Sequence, residues 1–165
     1  LGPVRGEVRF EDVTDAAGEA FLPAEVGRGA AFGDLDDDGD TDVVIANNSG
    51  PARVLLNQVG SRGRWLGLRL VTRHGRDALG ARVVLVGEGG AEILRRAHTD
   101  GSFASASDPR VLFGLPPGFV PAKVRVSWPG GETEEWPAPP LGSYLTLRQG
   151  TSPTEEAAED DPSAE

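Results

Sequence analysis

Apolar and polar residues alternate with a period of two through most of the chain, the pattern of strands that bury one face and wet the other. Residues 8–13, 42–46 and 53–56 carry it first, and 65–71, 81–86, 91–96, 123–128 and 144–148 carry it again. Val124, Val126 and Trp128 fall on one side while Lys123, Arg125 and Ser127 fall on the other, which predicts a half-buried antiparallel strand. Gly87-Glu88-Gly89-Gly90 predicts a hairpin connection, because Gly supplies the positive φ that tight turns need. Trp128-Pro129-Gly130-Gly131-Glu132 predicts another. The stretch 59–64 is polar, Gly-bearing and without periodicity, so it reads as a linker between a first unit, 1–58, and a second β-rich unit, 65–149. The remainder, 150–165, has no large apolar residue; it cannot repay the entropy of being ordered and predicts a disordered acidic tail.

Composition sharpens this all-β picture. Among 165 residues there are 23 Gly and 13 Pro, a density of breakers that opposes long helices and suits short strands with tight turns. The net charge of −10 is two local features: six of the 26 acids lie in 34–42 and six more in 151–165, leaving 14 acids against 16 bases. The near-neutral body has no basic stripe, which argues against nucleic acid as a partner. No window approaches a membrane span of about 18 apolar residues. The chain has no Cys, which excludes disulfides, thiolate catalysis and Cys-based metal sites. It also has no Met, so the expectation is a processed chain or a piece of a longer one.

The acidic run is the strongest candidate for chemistry. Phe32-Gly33-Asp34-Leu35-Asp36-Asp37-Asp38-Gly39-Asp40-Thr41-Asp42-Val43-Val44-Ile45 has the form D-x-D-x-D-G-x-x-D. Carboxylates of Asp34, Asp36 and Asp38 converge if the loop coils, Gly39 permits the turn, the Asp40 carbonyl adds an oxygen and Asp42 closes the shell. That many hard oxygens, mutually repelling without a cation, call for Ca2+. An EF-hand is a poor fit, since Ile45 stands where a bidentate Glu is required and the flanks are strand-like. The alternative is a metal-dependent, phosphatase-like hydrolase using the Asp34/Asp36 loop, with Asp34 as nucleophile and magnesium beside it. It calls for an α/β sheet and a distant Lys, whereas the single Lys123 sits on a predicted strand.

These residues resemble a known repeat. Phe10-Glu11-Asp12-Val13-Thr14, Gly27-Arg28-Gly29-Ala30-Ala31-Phe32-Gly33-Asp34 with the Asp loop, and Asn47 through Asn57 resemble one FG-GAP (VCBS-type) repeat, the blade of integrin-α-like β-propellers. The resemblance implies Ca2+ ligands at Asp34, Asp36, Asp38, Asp40 and Asp42, and further blades upstream in the parent chain, because a propeller needs about four or more. Trp65-Leu66-Gly67-Leu68-Arg69-Leu70, Leu79-Gly80-Ala81-Arg82-Val83, Phe113-Gly114-Leu115 and Val124-Arg125-Val126-Ser127-Trp128-Pro129-Gly130-Gly131 resemble, in order, the ASPIC/UnbV domain, which follows FG-GAP repeats in the cartilage-acidic-protein-like family. The two together imply a propeller-type blade with a calcium loop beside a sandwich-like domain. They also imply a secreted, extracellular or periplasmic protein that binds calcium, is not an enzyme, and serves adhesion or binding of a protein or carbohydrate ligand.

Weaker candidates have plainer readings. His74 and His98 lack the paired spacing of a metal site. A triad of Ser107, Asp108 and His98 has no nucleophile-elbow pattern, and Asp108-Pro109 reads as a turn. Glu132, Glu134 and Glu135 read as a charged strand edge that discourages sheet-to-sheet association. Trp65 and Trp128 fall in apolar patterns and predict core; Trp136 is the candidate for a surface binding role.

Overall fold

The computed structural model describes residues 10–101 and 103–153. Ten strands carry the fold: β1 (Gly27–Gly33), β2 (Asp42–Asn47), β3 (Arg53–Leu55), β4 (Arg64–Val71), β5 (Arg82–Gly87), β6 (Glu92–Arg96), β7 (Val111–Leu115), β8 (Pro121–Ser127), β9 (Thr133–Pro137) and β10 (Tyr144–Arg148). They form three open sheets, ordered β1-β2-β3, β10-β4-β7 and β6-β5-β8-β9. Pairing is antiparallel except between β10 and β4, which run parallel with Tyr144 opposite Gly67.

The alternation read from the sequence is what builds the core. Leu66, Leu68 and Leu70 of β4, Phe113 of β7 and Leu147 of β10 meet Val83, Leu85, Val124, Val126 and Trp136 of the four-stranded sheet in one buried cluster. The opposite face of that sheet is polar, where Lys123 and Arg125 both bond Glu135 at 2.6 and 2.9 Å. The ion pairs are exposed and contribute little to stability. β4 departs from simple alternation: Trp65, Gly67 and Val71 are buried as well, because its outer face also carries a cover.

β1-β2-β3 is of another kind. Register places Ala31, Val44 and Val54 on one face and Phe32, Val43 and Leu55 on the other. Both faces are apolar, yet Phe32 is 44% and Val54 57% exposed, and the buried cluster contains no residue before Leu66.

Several expectations need correction. The strand expected over 8–13 is absent where it is described: residues 10–13 are irregular and lead into a 3-10 turn at Thr14–Ala16, while residues 8 and 9 lie outside the described residues. Gly-rich β1 and the short β7 were not expected as strands. Trp136 is 9% exposed and meets Trp128 edge to face at 6.2 Å, so it is core rather than a surface platform. Glu132 precedes β9, while Glu134 and Glu135 lie on it, and β9 does form a sheet edge. The disordered-tail expectation falls mostly on 154–165, outside the described residues.

Candidate metal centre

The acidic loop covers β4 at Trp65, and the Tyr144 ring covers it at Gly67. The loop leaves β1 at Gly33 and re-enters the sheet at Asp42, so two hydrogen-bonded neighbours fix its ends, with Gly33 opposite Asp42 in register. Between them Asp37 has φ +59° and Gly39 φ +94°; the second lies in the region that strongly favours Gly. Gly39 also needs its missing side chain for space, since a Cβ there would stand 2.2 Å from the Trp65 ring. The floor beneath is aromatic, with Trp65 and Tyr144 tilted together at 5.3 Å between centroids.

Asp34, Asp36 and Asp42 each bring one carboxylate oxygen within 4.8 Å of the others and could hold a metal ion. Asp34 and Asp42 are 4% and 1% exposed. Their backbone partners hold them in place. The Asp42 Oδ2 accepts the Leu35 N–H and its Oδ1 the Asn57 N–H, both at 2.8 Å. Asp34 accepts the Asp38 N–H at 3.1 Å on Oδ1 and the Gly39 N–H at 2.9 Å on Oδ2. The donor set is all hard oxygen, which fits Ca2+ or Mg2+ and not a soft metal. Asp38 does not join the group of three: its Oδ1 accepts the Asp40 N–H at 3.1 Å. Asp40 is buried and packs so closely on Gly60 that a Cβ there would come within 2.5 Å of its own. The Asp36 carboxyl is held above the usual range, first by partial desolvation and then by the charges of Asp38, Asp42 and Asp34.

Residues far away in sequence clamp the loop. The Tyr144 hydroxyl donates to Asp34 Oδ2 at 2.8 Å. Arg110 donates to the Asp34 carbonyl and to Asp37 Oδ1, each at 2.5 Å, and to Asp108 Oδ2 at 2.6 Å. Its guanidinium lies 4.1 Å from the Tyr144 ring centroid, a cation–π stack. The Asp108 N–H donates to the Phe32 carbonyl and the Phe32 N–H to the Ser107 hydroxyl. Thus Ser107 and Asp108 are tied to β1 and Arg110, and His98 bonds the Asp100 carbonyl at 2.9 Å, so these three residues make no triad. Sequence reading missed Tyr144 and Arg110 as partners of the loop. The one available signal was Gly67, which sits opposite Tyr144 and whose Cβ would lie 2.2 Å from that ring: a Gly in a buried strand marks close approach.

Tyr144 is the chain's single Tyr, which makes it a clean optical probe. Burial, and then its bond to the Asp34 carboxylate, push its phenol above the ordinary value. In chelator, the folded protein is expected to show less tyrosinate absorbance at pH 10 than the urea-unfolded chain, which is about half ionised there. Because the folded value is raised, this contribution to stability is complete below about pH 10 and is lost as pH rises through the folded value. Equal titration curves for folded and unfolded protein would show that the Tyr144–Asp34 bond does not form.

Comparison with known proteins fits this chain into a family. Residues 71–154 match the family model described as ASPIC and UnbV. Human cartilage acidic protein 1 is 30% identical over 118 residues, and the protein of the same name from Xenopus tropicalis 29%. Each match covers 70% of this chain, which spans 18% of the length of those curated relatives. The crystal structure of the group B streptococcus pilus 2b backbone protein overlays 76% of this chain and 51% of its own at 10% identity, with a TM-score of 0.26, too low to bear on the fold. With half of its residues, including β5 to β10, under one family model, the chain belongs to the ASPIC and UnbV family.

Proposed function

We propose that this chain is a calcium-binding, non-catalytic binding or adhesion module that works outside the cytoplasm. The observation that carries the reading is the group formed by Asp34, Asp36 and Asp42, two of them buried and already aligned by backbone N–H groups. Asp38 and the Asp40 carbonyl complete the shell when the ion is present. Ca2+ is preferred over Mg2+ because it accepts six to eight oxygens in flexible geometry. A site of extracellular affinity, with Kd on the order of 10⁻⁴ to 10⁻³ M, fills only where calcium is abundant, which agrees with relatives named for cartilage. Among the described residues no helix is long and apolar enough to cross a membrane.

The first unit, 1–58, is read as one FG-GAP blade joined through 59–64 to the ASPIC/UnbV domain. Its sheet is apolar on both faces and covered on neither by the buried cluster, which suits a sheet stacked between others in a longer parent. Upstream blades are the partners of that stack, and a protein or carbohydrate ligand is the partner of the whole. The non-catalytic assignment draws support from Lys123, the chain's single Lys, which is paired to Glu135 on the far face of the four-stranded sheet.

Thermal unfolding of the full chain tests the metal. A free calcium level ten times Kd adds about 1.4 kcal/mol, a rise of a few degrees for a chain of this size. Calcium is expected to raise Tm over chelator, magnesium to raise it less, and Asp36→Ala to remove the difference while remaining folded. Identical melting in chelator and in millimolar calcium would refute the metal reading.

A further inference from the structure

The two sheets that share the buried cluster end at edge strands, β6 and β7. They approach where the Arg95 guanidinium covers the Phe113 ring at 5.8 Å, and along β7 a trough opens. One end is a hollow of about 330 Å³ that includes Leu112 and, beside it, Asp34, Asp100 and Asp108, of which Asp100 is paired to Arg96 and Asp108 to Arg110; the charge that selects an occupant therefore lies at the other end. The other is a larger one of about 790 Å³ walled by Trp65, Ile93, Leu115 and Phe119, with Arg95 lining both.

Pairing of β4 with β7 fixes which backbone groups face this trough. Trp65 and Gly67 turn their carbonyl and N–H toward the 142–143 segment on the β10 side. Leu66 and Leu68 therefore bond β7, opposite Phe113 and Val111, and the N–H and C=O of Leu112 and Gly114 point away from β4 into the trough. A Cβ added at Gly114 would meet nothing within 4 Å, so the sheet face above that residue is also open. The β6 side is already blunted, since Arg95 Nη1 donates to the Leu94 carbonyl at 3.0 Å.

Charge fixes the occupant further. Arg64 and Arg95 border the larger hollow, and among the described residues neither has a carboxylate partner; Arg64 reaches only the Phe119 carbonyl at 2.9 Å. Glu92, the acid in the same wall, faces Arg125 at 3.5 Å. A hydrocarbon ligand would bury the Leu112 and Gly114 backbone groups without partners, at a cost that a peptide backbone avoids.

We propose that the β7 edge is a docking site for an extended, acidic peptide segment of another protein, which adds as a strand at Leu112 and Gly114, sets apolar side chains against Trp65 and Phe119, and meets Arg64 and Arg95 with carboxylates. This goes beyond the calcium reading and does not depend on it.

The probe is an acetylated, amidated hexapeptide of alternating Val and Glu, titrated to millimolar concentration into the 15N-labelled full chain. Shifts and slowed amide exchange are expected at Leu112 and Gly114. Methylating the guest's alternate amide nitrogens, or exchanging Glu for Lys, is expected to weaken binding at least ten-fold. Arg95→Glu, checked for unchanged Tm, is expected to reverse the Glu-over-Lys preference. No shift at Leu112 and Gly114 at millimolar peptide would overturn the proposal. So would equal binding of the N-methylated guest, or binding of laurate in its place. The N-methyl comparison is made on the unaltered protein, so it decides even if the variant fails to fold.

Discussion

Asp42→Ala is expected to lower stability by about 2–6 kcal/mol, a large share of the roughly 5–15 kcal/mol that holds a domain of this size together. Asp42 is 1% exposed, and its two oxygens are the acceptors for the Leu35 and Asn57 N–H groups. Truncation strands both donors out of reach of bulk water, at about 1–3 kcal/mol each. For a chain of 150 residues or more, each kcal/mol moves Tm by about 2–4 °C, so the melting curve should shift by roughly 5–20 °C. Asp42→Asn separates the two roles of this side chain. One acceptor oxygen survives, so the fold suffers less, but the charge is gone and the calcium-dependent rise in Tm should go with it. A variant with Ala at 42 that melts within a degree of the parent would show that the loop is not held by this carboxylate.

Gly39→Ala carries the second large effect, and a control elsewhere in the chain isolates its cause. Gly39 at φ +94° and Gly131 at φ +91° share nearly the same positive φ. A Cβ at Gly131 meets nothing within 4 Å, whereas one at Gly39 strikes the Trp65 ring at 2.2 Å. Gly131→Ala should therefore cost only the conformational strain, about 1–3 kcal/mol. Gly39→Ala adds overpacking of about 1–3 kcal/mol against a 9%-exposed Trp, and its displaced loop should also bind calcium more weakly. Differential melting of the two variants is the measurement; equal losses would mean that the loop does not press on Trp65.

The second half of the chain was legible because its strands face water on one side. The Val124, Val126 and Trp128 alternation is a direct imprint of burial, and the Gly-rich 87–90 and 129–132 turns punctuate it. β1 and β7 were not legible, for opposite reasons. β1 is Gly27-Arg28-Gly29-Ala30-Ala31-Phe32-Gly33, poor in the β-branched residues that mark strands. Small residues stand there because the segment from Phe103 to Asp108 presses against it, leaving Gly29 no room for a Cβ. β7, Val111-Leu112-Phe113-Gly114-Leu115, has an apolar residue at every position but its exposed Gly114, so no apolar–polar alternation marks it. The convergence of Asp34, Asp36 and Asp42 was legible because Asp spacing is local, whereas the turn that keeps Asp38 out of that group was not. Its clamp was not: Tyr144 and Arg110 reach Asp34 across 110 and 76 positions, a distance over which no spacing rule operates.

That separation has a consequence for how the protein is made. A ribosome that has just added Asp34 reaches Tyr144 only after 110 further residues, about 6–22 s of synthesis at 5–20 residues per second. Through that interval Asp34 lacks both its phenol and the parallel β10 strand that delivers it. The acidic loop thus emerges long before the last residue that fastens it, and a nascent chain interrupted before residue 144 leaves Asp34 without its Tyr144 clamp.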